Sequence, residues 1–306
     1  MNVAIVGATG LIGRRVVAAL LRRGDAVVAL SRSGASGIGG AREVRWDPAA
    51  GPVPAGALAG ADAIVNLAGA SIGTRRWTAR RKRELIESRV ATTRGVVDAM
   101  AVADVPVLVN GSGIDLYGPR GDEVVDESSA PGAGFLAEMA LAWEGEAARA
   151  REAGARVVAV RTAMVLAGEG GALGRLALAT RLFAGGPIGG GRQWLPWIHI
   201  EDEVGLILLA LDRPDIDGPL NACAPGQVRQ RDAAAVLGRV LRRPSALPVP
   251  ASAARLAMGE MAALVLDGQR AVPRVARDAG YEFAYPDLEP ALREALGRPR
   301  TAGRER

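Results

Sequence analysis

The 306-residue sequence contains one cysteine, Cys223, one histidine, His199, and, among 38 basic residues, one lysine, Lys82. A lone thiol excludes an intramolecular disulfide, and one thiol with one imidazole cannot build a cysteine–histidine metal cluster. A reducing, cytoplasmic setting is the expectation. No apolar stretch approaches the roughly 18 residues of a membrane-spanning helix, so no membrane partner is expected. With strand-like residues from Met1 onward, the expectation is that no signal peptide precedes the fold. Basic tails and stripes are also missing: the net charge of +5 comes from arginines scattered among Asp and Glu. With no recognition module either, that basicity does not describe a nucleic-acid surface.

What remains is a chain with 49% hydrophobic and 23% charged residues, suited to one large or two interleaved globular domains. Its most informative segment comes first. The run Met1 to Val6 reads as a buried strand and passes through Gly7-Ala8-Thr9-Gly10-Leu11-Ile12-Gly13 into a helical pattern that ends near Gly24. Glycines at these positions permit a tight turn, close approach of a pyrophosphate to the backbone and close packing of helix on sheet. The new helix offers free N–H groups to phosphate. A strand over Ala26 to Leu30 then delivers Ser31-Arg32-Ser33 about 20 residues beyond the glycines, where a ribose selector belongs. An acidic residue there would bind a free 2′-hydroxyl, whereas an arginine between two hydroxyls suits a 2′-phosphate. The expected cofactor is NADP(H); the alternative reading of Arg32 is a solvated surface arginine.

Further apolar runs at Ala61 to Leu67, Pro106 to Asn110 and Arg156 to Arg161 alternate with helical patterns at Thr78 to Ala103 and Leu136 to Ala153. Such alternation predicts an α/β fold, a Rossmann-type doubly wound parallel sheet. Asn66-Leu67-Ala68-Gly69 ends a strand on the same carboxyl edge as Gly7, where such sheets bind ligands. Beyond Thr162 lie glycine-rich loops at Gly168 to Gly174 and Gly185 to Gly191, flanking a helical stretch over Leu173 to Ala184. Short strands are expected at Trp194 to Ile200 and Pro219 to Ala222, with mostly helix after Val228. The division that follows is a nucleotide-binding domain of residues 1–162 plus about 196–222, and a smaller substrate-side domain of about 163–195 plus 223–297. Residues 298–306 read as a frayed polar tail.

In these motifs the chain resembles the extended short-chain dehydrogenases/reductases, and more narrowly an atypical epimerase-like group that carries a small C-terminal helical domain of unassigned function. The resemblance spans nearly the whole chain. It rests on GATGLIG (Gly7 to Gly13), RWDP (Arg45 to Pro48), NLAGASI (Asn66 to Ile72), RRWT through SR and TT (Arg75 to Thr93), YGPRGDE (Tyr117 to Glu123), FLA with WE (Phe135 to Glu144), WIHIEDE (Trp197 to Glu203) and GEMA with GQR and a proline (Gly259 to Pro273). It implies that Thr9, Gly10, Leu11 and Ile12 hold the pyrophosphate, that Arg32 holds the 2′-phosphate and that Asp47 lies near the adenine. Leu67, Ala68 and Gly69 would border the nicotinamide-side ribose. The implied activity is that of an oxidoreductase or nucleoside-diphosphate-sugar epimerase acting on a small carbonyl, hydroxyl or sugar-like substrate.

The parent superfamily exchanges the substrate proton through a tyrosine with a lysine four residues later. Here the three tyrosines, Tyr117, Tyr281 and Tyr285, are followed at that spacing by Gly121, Tyr285 and Glu289. Phe135 and Met139 fall where the pair belongs, and neither can trade a proton. That loss leaves two readings, an enzyme with reassigned chemistry or a non-catalytic NADP(H)-binding regulator or assembly protein. Ser112, at the superfamily's serine position, and Tyr117 are the surviving catalytic candidates, the latter equally readable as a structural loop residue. Arg89 replaces an asparagine common in extended enzymes. Arg76 and Trp77, with Arg75 and Lys82, could grip an anionic substrate by charge and stacking. Glu138 is a further acid–base candidate, and His199 is either a wall of the site or a hydrogen-bonded structural group. The acidic run Asp122, Glu123, Asp126 and Glu127 reads as a solvated loop, and no metal signature stands out.

Overall fold

The alternation of apolar runs and helical patterns becomes, in a computed structural model describing residues 1–34, 37–168 and 170–297, a parallel sheet wrapped by helices. In chain order the first half comprises β1 (Asn2–Val6), α1 (Leu11–Arg23), β2 (Ala26–Ser31), β3 (Arg42–Arg45), β4 (Ala63–Asn66), α2 (Ala79–Ala103), β5 (Val107–Gly113), β6 (Val124–Val125), α3 (Phe135–Ala148) and β7 (Arg156–Thr162). The second half adds β8 (Met164–Leu166), α4 (Gly171–Arg181), β9 (Trp194–Leu195), β10 (Trp197–His199), α5 (Ile200–Asp212), β11 (Gly218–Ala222), β12 (Val228–Arg229), α6 (Gln230–Leu241), α7 (Ala251–Met258), α8 (Ala263–Leu266), β13 (Arg270–Ala271), α9 (Arg274–Asp278) and α10 (Leu288–Ala295). The expected tail, 298–306, lies outside the described residues.

Seven strands pair in parallel in the order β11-β7-β5-β4-β1-β2-β3. Burial on both faces explains why β1, β4 and β5 read as continuous apolar runs. Val16, Val17 and Leu20 of α1 pack one face together with Leu206, Ile207 and Ala210 of α5. Val96, Val97 and Met100 of α2 cover the other with Ala147 of α3. The order reverses at β1 and β4, which opens a crevice at their carboxyl ends.

Local chemistry sets the boundaries. The Thr78 hydroxyl accepts the Arg81 amide at 3.2 Å and caps α2. α3 ends at Ala148, five residues before the sequence expectation, and continues as a 3-10 turn to Gly154, whose φ of 81° closes it. The expected strand Trp194 to Ile200 is divided: Pro196 separates β9 from β10, and Ile200 opens α5 with His199 as its N-cap. A separate core of Leu166, Leu173, Trp197, Leu237, Leu241 and Leu292 joins α4, α6 and α10 to β8 and β10. That layer sits over the carboxyl edge of the sheet, where Leu11 lies 3.3 Å from where a β-carbon on Gly171 would be.

Candidate functional site

The glycine turn works by close approach. Gly7 has φ +85°, and a β-carbon there would lie 2.9 Å from the Leu67 carbonyl carbon. A β-carbon on Gly13 would overlap the Gly7 carbonyl oxygen. Gly10 begins α1 with no side-chain cap and no acid in the first turn, so the amides at Leu11 and Ile12 face the crevice without a competing carboxylate. Thr9, Ser31, Arg32, Ser33 and Asp47 then line a cavity of about 460 Å³. Arg32 is exposed, and β3 holds Asp47 at the rim through the Trp46 amide, which donates to the Ser31 carbonyl at 2.9 Å. A backbone cradle, an open cavity and a cation at its adenosine end fit a dinucleotide.

Leu67, Ala68 and Gly69 leave β4 on the far side of the turn. Beneath them the Asn66 side-chain amide donates to Thr93 Oγ1 at 2.9 Å and to Asn110 Oδ1 at 2.7 Å. The Trp143 indole N–H donates to the same Thr93 oxygen at 3.0 Å. Arg89 is buried against this loop, donating to the carbonyls of Ala70 and Leu85 at 3.1 and 3.0 Å and lying over the Trp143 ring. Its Nε has no hydrogen-bond partner, and no carboxylate pairs with it among the described residues. Burial, aided by the like charge of Arg81, draws its pKa down to about 10. The loop after β4 therefore lies against a cation with no carboxylate partner among the described residues.

Ser112, near the carboxyl end of β5, donates to Glu144 Oε1 of α3 at 2.5 Å. Glu144 also accepts two bonds from Arg161 of β7, each 2.9 Å. Arg161 donates onward to the Tyr117 hydroxyl at 2.8 Å, and Tyr117 donates to Asn221 Oδ1 at 2.8 Å. Burial lowers the Arg161 pKa, but the Glu144 carboxylate outweighs it and holds the guanidinium above its ordinary value. Tyr117 has no exposed surface, and burial pushes its phenol up to about 12 despite Arg161. This catalytic candidate is therefore not at the mouth of the site: its hydroxyl is bonded on both sides inside the core. Asp115, which sequence reasoning passed over, follows Ser112 by three residues. Burial pushes its carboxyl up to about 6, with Gln269 hydrogen-bonded to it and Asp267 nearby. Only its place just past a strand end could have marked it.

The expected substrate residues do not converge. Arg76 is anchored to the end of α7, donating to the Ala257 and Leu256 carbonyls at 2.9 and 2.8 Å. Trp77 is buried, bonded to the Ile72 carbonyl and set edge-on to Phe135 at 5.1 Å. Lys82 pairs with Glu260 and lies over the Phe135 ring. Thus the seat of the missing tyrosine is an apolar cluster of Trp77, Leu85, Phe135 and Met139, covered by Met261 and Leu264. Glu138, on the solvent side of α3, is exposed. His199 has no exposed surface; its Nε2 meets Glu294 at 2.6 Å and its ring lies 3.9 Å from Tyr285. It fastens α10 to α5. The acidic loop is not wholly solvated either, since buried Glu127 accepts the amides of Asn221, Arg274 and Val275 and caps α9.

A parallel sheet reversing at a glycine turn, a dinucleotide cleft and a helical layer over its carboxyl edge define an extended short-chain dehydrogenase/reductase of atypical kind. The chain belongs to the NAD dependent epimerase/dehydratase family, whose model matches residues 3–223, and a domain of unknown function (DUF1731) matches residues 249–295. Similar proteins include the epimerase family protein ML0860 of Mycobacterium leprae, 39% identical over 97% of this chain and 96% of that one. The chloroplastic SDR39U1 homolog of Arabidopsis thaliana is 40% identical over 97% and 87%. The crystal structure of human epimerase family protein SDR39U1 (isoform 2) with NADPH superposes with a TM-score of 0.86, at 33% identity and covering 97% and 99% of the two chains. MoeE5 in complex with UDP-glucuronic acid and NAD shares the fold, with a TM-score of 0.79 at 21% identity over 97% and 98%. The cleft is a nicotinamide-dinucleotide site. Among the described residues no helix is long and apolar enough to cross a membrane.

Proposed function

We propose that this protein is an NADP(H)-dependent oxidoreductase or epimerase-like enzyme acting on a small hydroxyl, carbonyl or sugar-like compound in the cytoplasm. The observation that carries the cofactor choice is the cavity lined by Thr9, Ser31, Arg32, Ser33 and Asp47, where an exposed guanidinium and hydroxyls occupy the selector position. A dianionic 2′-phosphate gains charge-assisted hydrogen bonds there that a 2′-hydroxyl does not. NADPH in the human relative supports the same choice. A bound nicotinamide supplies hydride transfer. The chain's own part is to hold the pyrophosphate on the amides after Gly10, to place Arg89 behind the ribose loop and to present Ser112 at the edge of the reacting space. Small-molecule substrate, rather than nucleic acid or membrane, is the partner this cleft suits.

The second reading, a non-catalytic NADP(H)-binding regulator or assembly protein, draws on the apolar seal around Phe135. Incubation with NADPH and a broad carbonyl panel, and with NADP⁺ and the matching alcohols, separates the two. Turnover of any pair supports the enzyme; tight cofactor binding with no turnover across both panels supports the regulator.

A further inference from the structure

Phe183 stands in a backbone conformation that suits glycine. Its φ is +61°, just past the end of α4, and the residue is 56% exposed. A bulky side chain there bears left-handed backbone strain and leaves an aromatic ring in water. It is not alone. Leu178 and Leu182, one helical turn apart, and Leu247, in the loop before α7, are 56%, 68% and 70% exposed. Backbone pairing brings the two segments together: the Val249 carbonyl accepts the Gly189 amide at 2.9 Å, and the Val249 amide donates to the Pro187 carbonyl at 2.8 Å. Gly186 packs on the Leu247 carbonyl, and the Arg243 guanidinium lies 5.3 Å from the Phe183 ring centre. The result is a projecting edge, for residues 181–184 and all of 242–248 but Ser245 are exposed.

The charge of these two segments has one sign. Residues 171–200 and 233–259 contain seven arginines and no Asp or Glu. The whole chain carries only +5, so everything outside them is net acidic. Five of the nine large apolar side chains exposed among the described residues fall in the same two segments. Arg239 is answered by Glu289 of α10 at 3.1 Å, but Arg181, Arg242 and Arg243 have no carboxylate partner among the described residues. We propose that this edge docks on an anionic lipid surface, with Leu182, Phe183 and Leu247 entering the apolar layer and Arg181, Arg242 and Arg243 meeting the headgroups. A second copy of the chain fits poorly, because it would set arginines against arginines with no acid between them. An acidic protein would find projecting tips in place of a groove. Apolar tips ringed by guanidiniums need no matching shape, only a fluid apolar layer beneath negative charge. Such docking requires no spanning helix, and it depends on neither the cofactor nor the reaction.

Flotation of the full chain with vesicles of phosphatidylcholine alone, and of phosphatidylcholine with about one-third phosphatidylglycerol, tests the proposal. The parent should bind the anionic vesicles at least about tenfold more tightly than the neutral ones and release them as salt is raised. Phe183→Gly separates docking from folding, because glycine relieves the left-handed backbone. Its melting temperature should not fall, yet its affinity for anionic vesicles should drop at least about threefold, and about tenfold when Leu247→Ser is added. Arg181→Gln with Arg243→Gln should weaken binding to a similar degree. Val102→Ser, which removes a side chain 91% exposed on α2, should leave it unchanged. Failure of the folded parent to float with anionic vesicles, equal binding to neutral ones, or an equal loss in Val102→Ser would overturn the proposal. So would dimerisation in ultracentrifugation that Phe183→Gly abolishes, since the edge would then belong to a second copy.

Discussion

Gly69 lies directly on Arg89, where a β-carbon would come within 3.0 Å of the guanidinium carbon. The contact joins the loop that follows β4 to a buried cation with no carboxylate partner among the described residues. Replacing buried ionic groups by well-packed apolar side chains of similar volume is often neutral or stabilising, by about 1–4 kcal/mol.

Arg89→Met should therefore leave the ligand-free protein at least as resistant to urea as the parent. The rise in melting temperature on adding NADPH should shrink, because the cation no longer gains an anionic neighbour. A loss of more than about 2 kcal/mol in the ligand-free protein would mean that the bonds to Ala70 and Leu85 outweigh the buried charge.

Glu203 gives a pH prediction. It has no exposed surface, accepts the Thr162 hydroxyl at 2.7 Å on one oxygen and has no partner on the other. Burial raises its carboxyl from 4.5 to about 8. The folded protein then binds a proton that the unfolded chain has released between those values. Its contribution is fully present below the unfolded value and is lost as pH rises toward 8, by up to about 1.4 kcal/mol per pH unit. Glu203→Gln should flatten that part of the stability profile in urea titrations from pH 5 to pH 8; an unchanged slope would contradict the assignment.

Much of the fold and the cofactor cleft was legible in the sequence, and particular residues show why. Gly7 and Gly13 are legible as a tight turn because backbone contact leaves no room for side chains there, Arg32 follows at a distance set by one strand, and Asp47 was expected only through the family resemblance. β3 escaped the apolar-run reading because Arg42-Glu43-Val44-Arg45 is a half-exposed edge strand held by its pairing with β2. Glu144 escaped because its meaning comes from Arg161 and Ser112, which lie 17 and 32 residues away in sequence. Arg76, Tyr117 and His199 looked chemical for their side chains, yet each is occupied by a contact the sequence does not display: the end of α7, the Arg161–Asn221 pair, and Glu294 with Tyr285.

His199→Ala follows from that last point. Deleting a fully buried ring that caps α5, meets Glu294 and packs on Tyr285 should cost about 2–4 kcal/mol of stability. Affinity for NADPH should change less than threefold, since the buried ring is fully engaged by Glu294 and Tyr285. A tenfold loss of affinity in a folded variant would return His199 to the site.

The cofactor assignment is tested most directly by calorimetric titration of NADPH and NADH into the parent protein and Arg32→Ala. The parent should prefer NADPH by at least about tenfold, roughly 1.4 kcal/mol, and Arg32→Ala should bring the two affinities within about twofold by weakening NADPH alone. Equal affinities in the parent, or an undiminished preference in Arg32→Ala, would contradict the account.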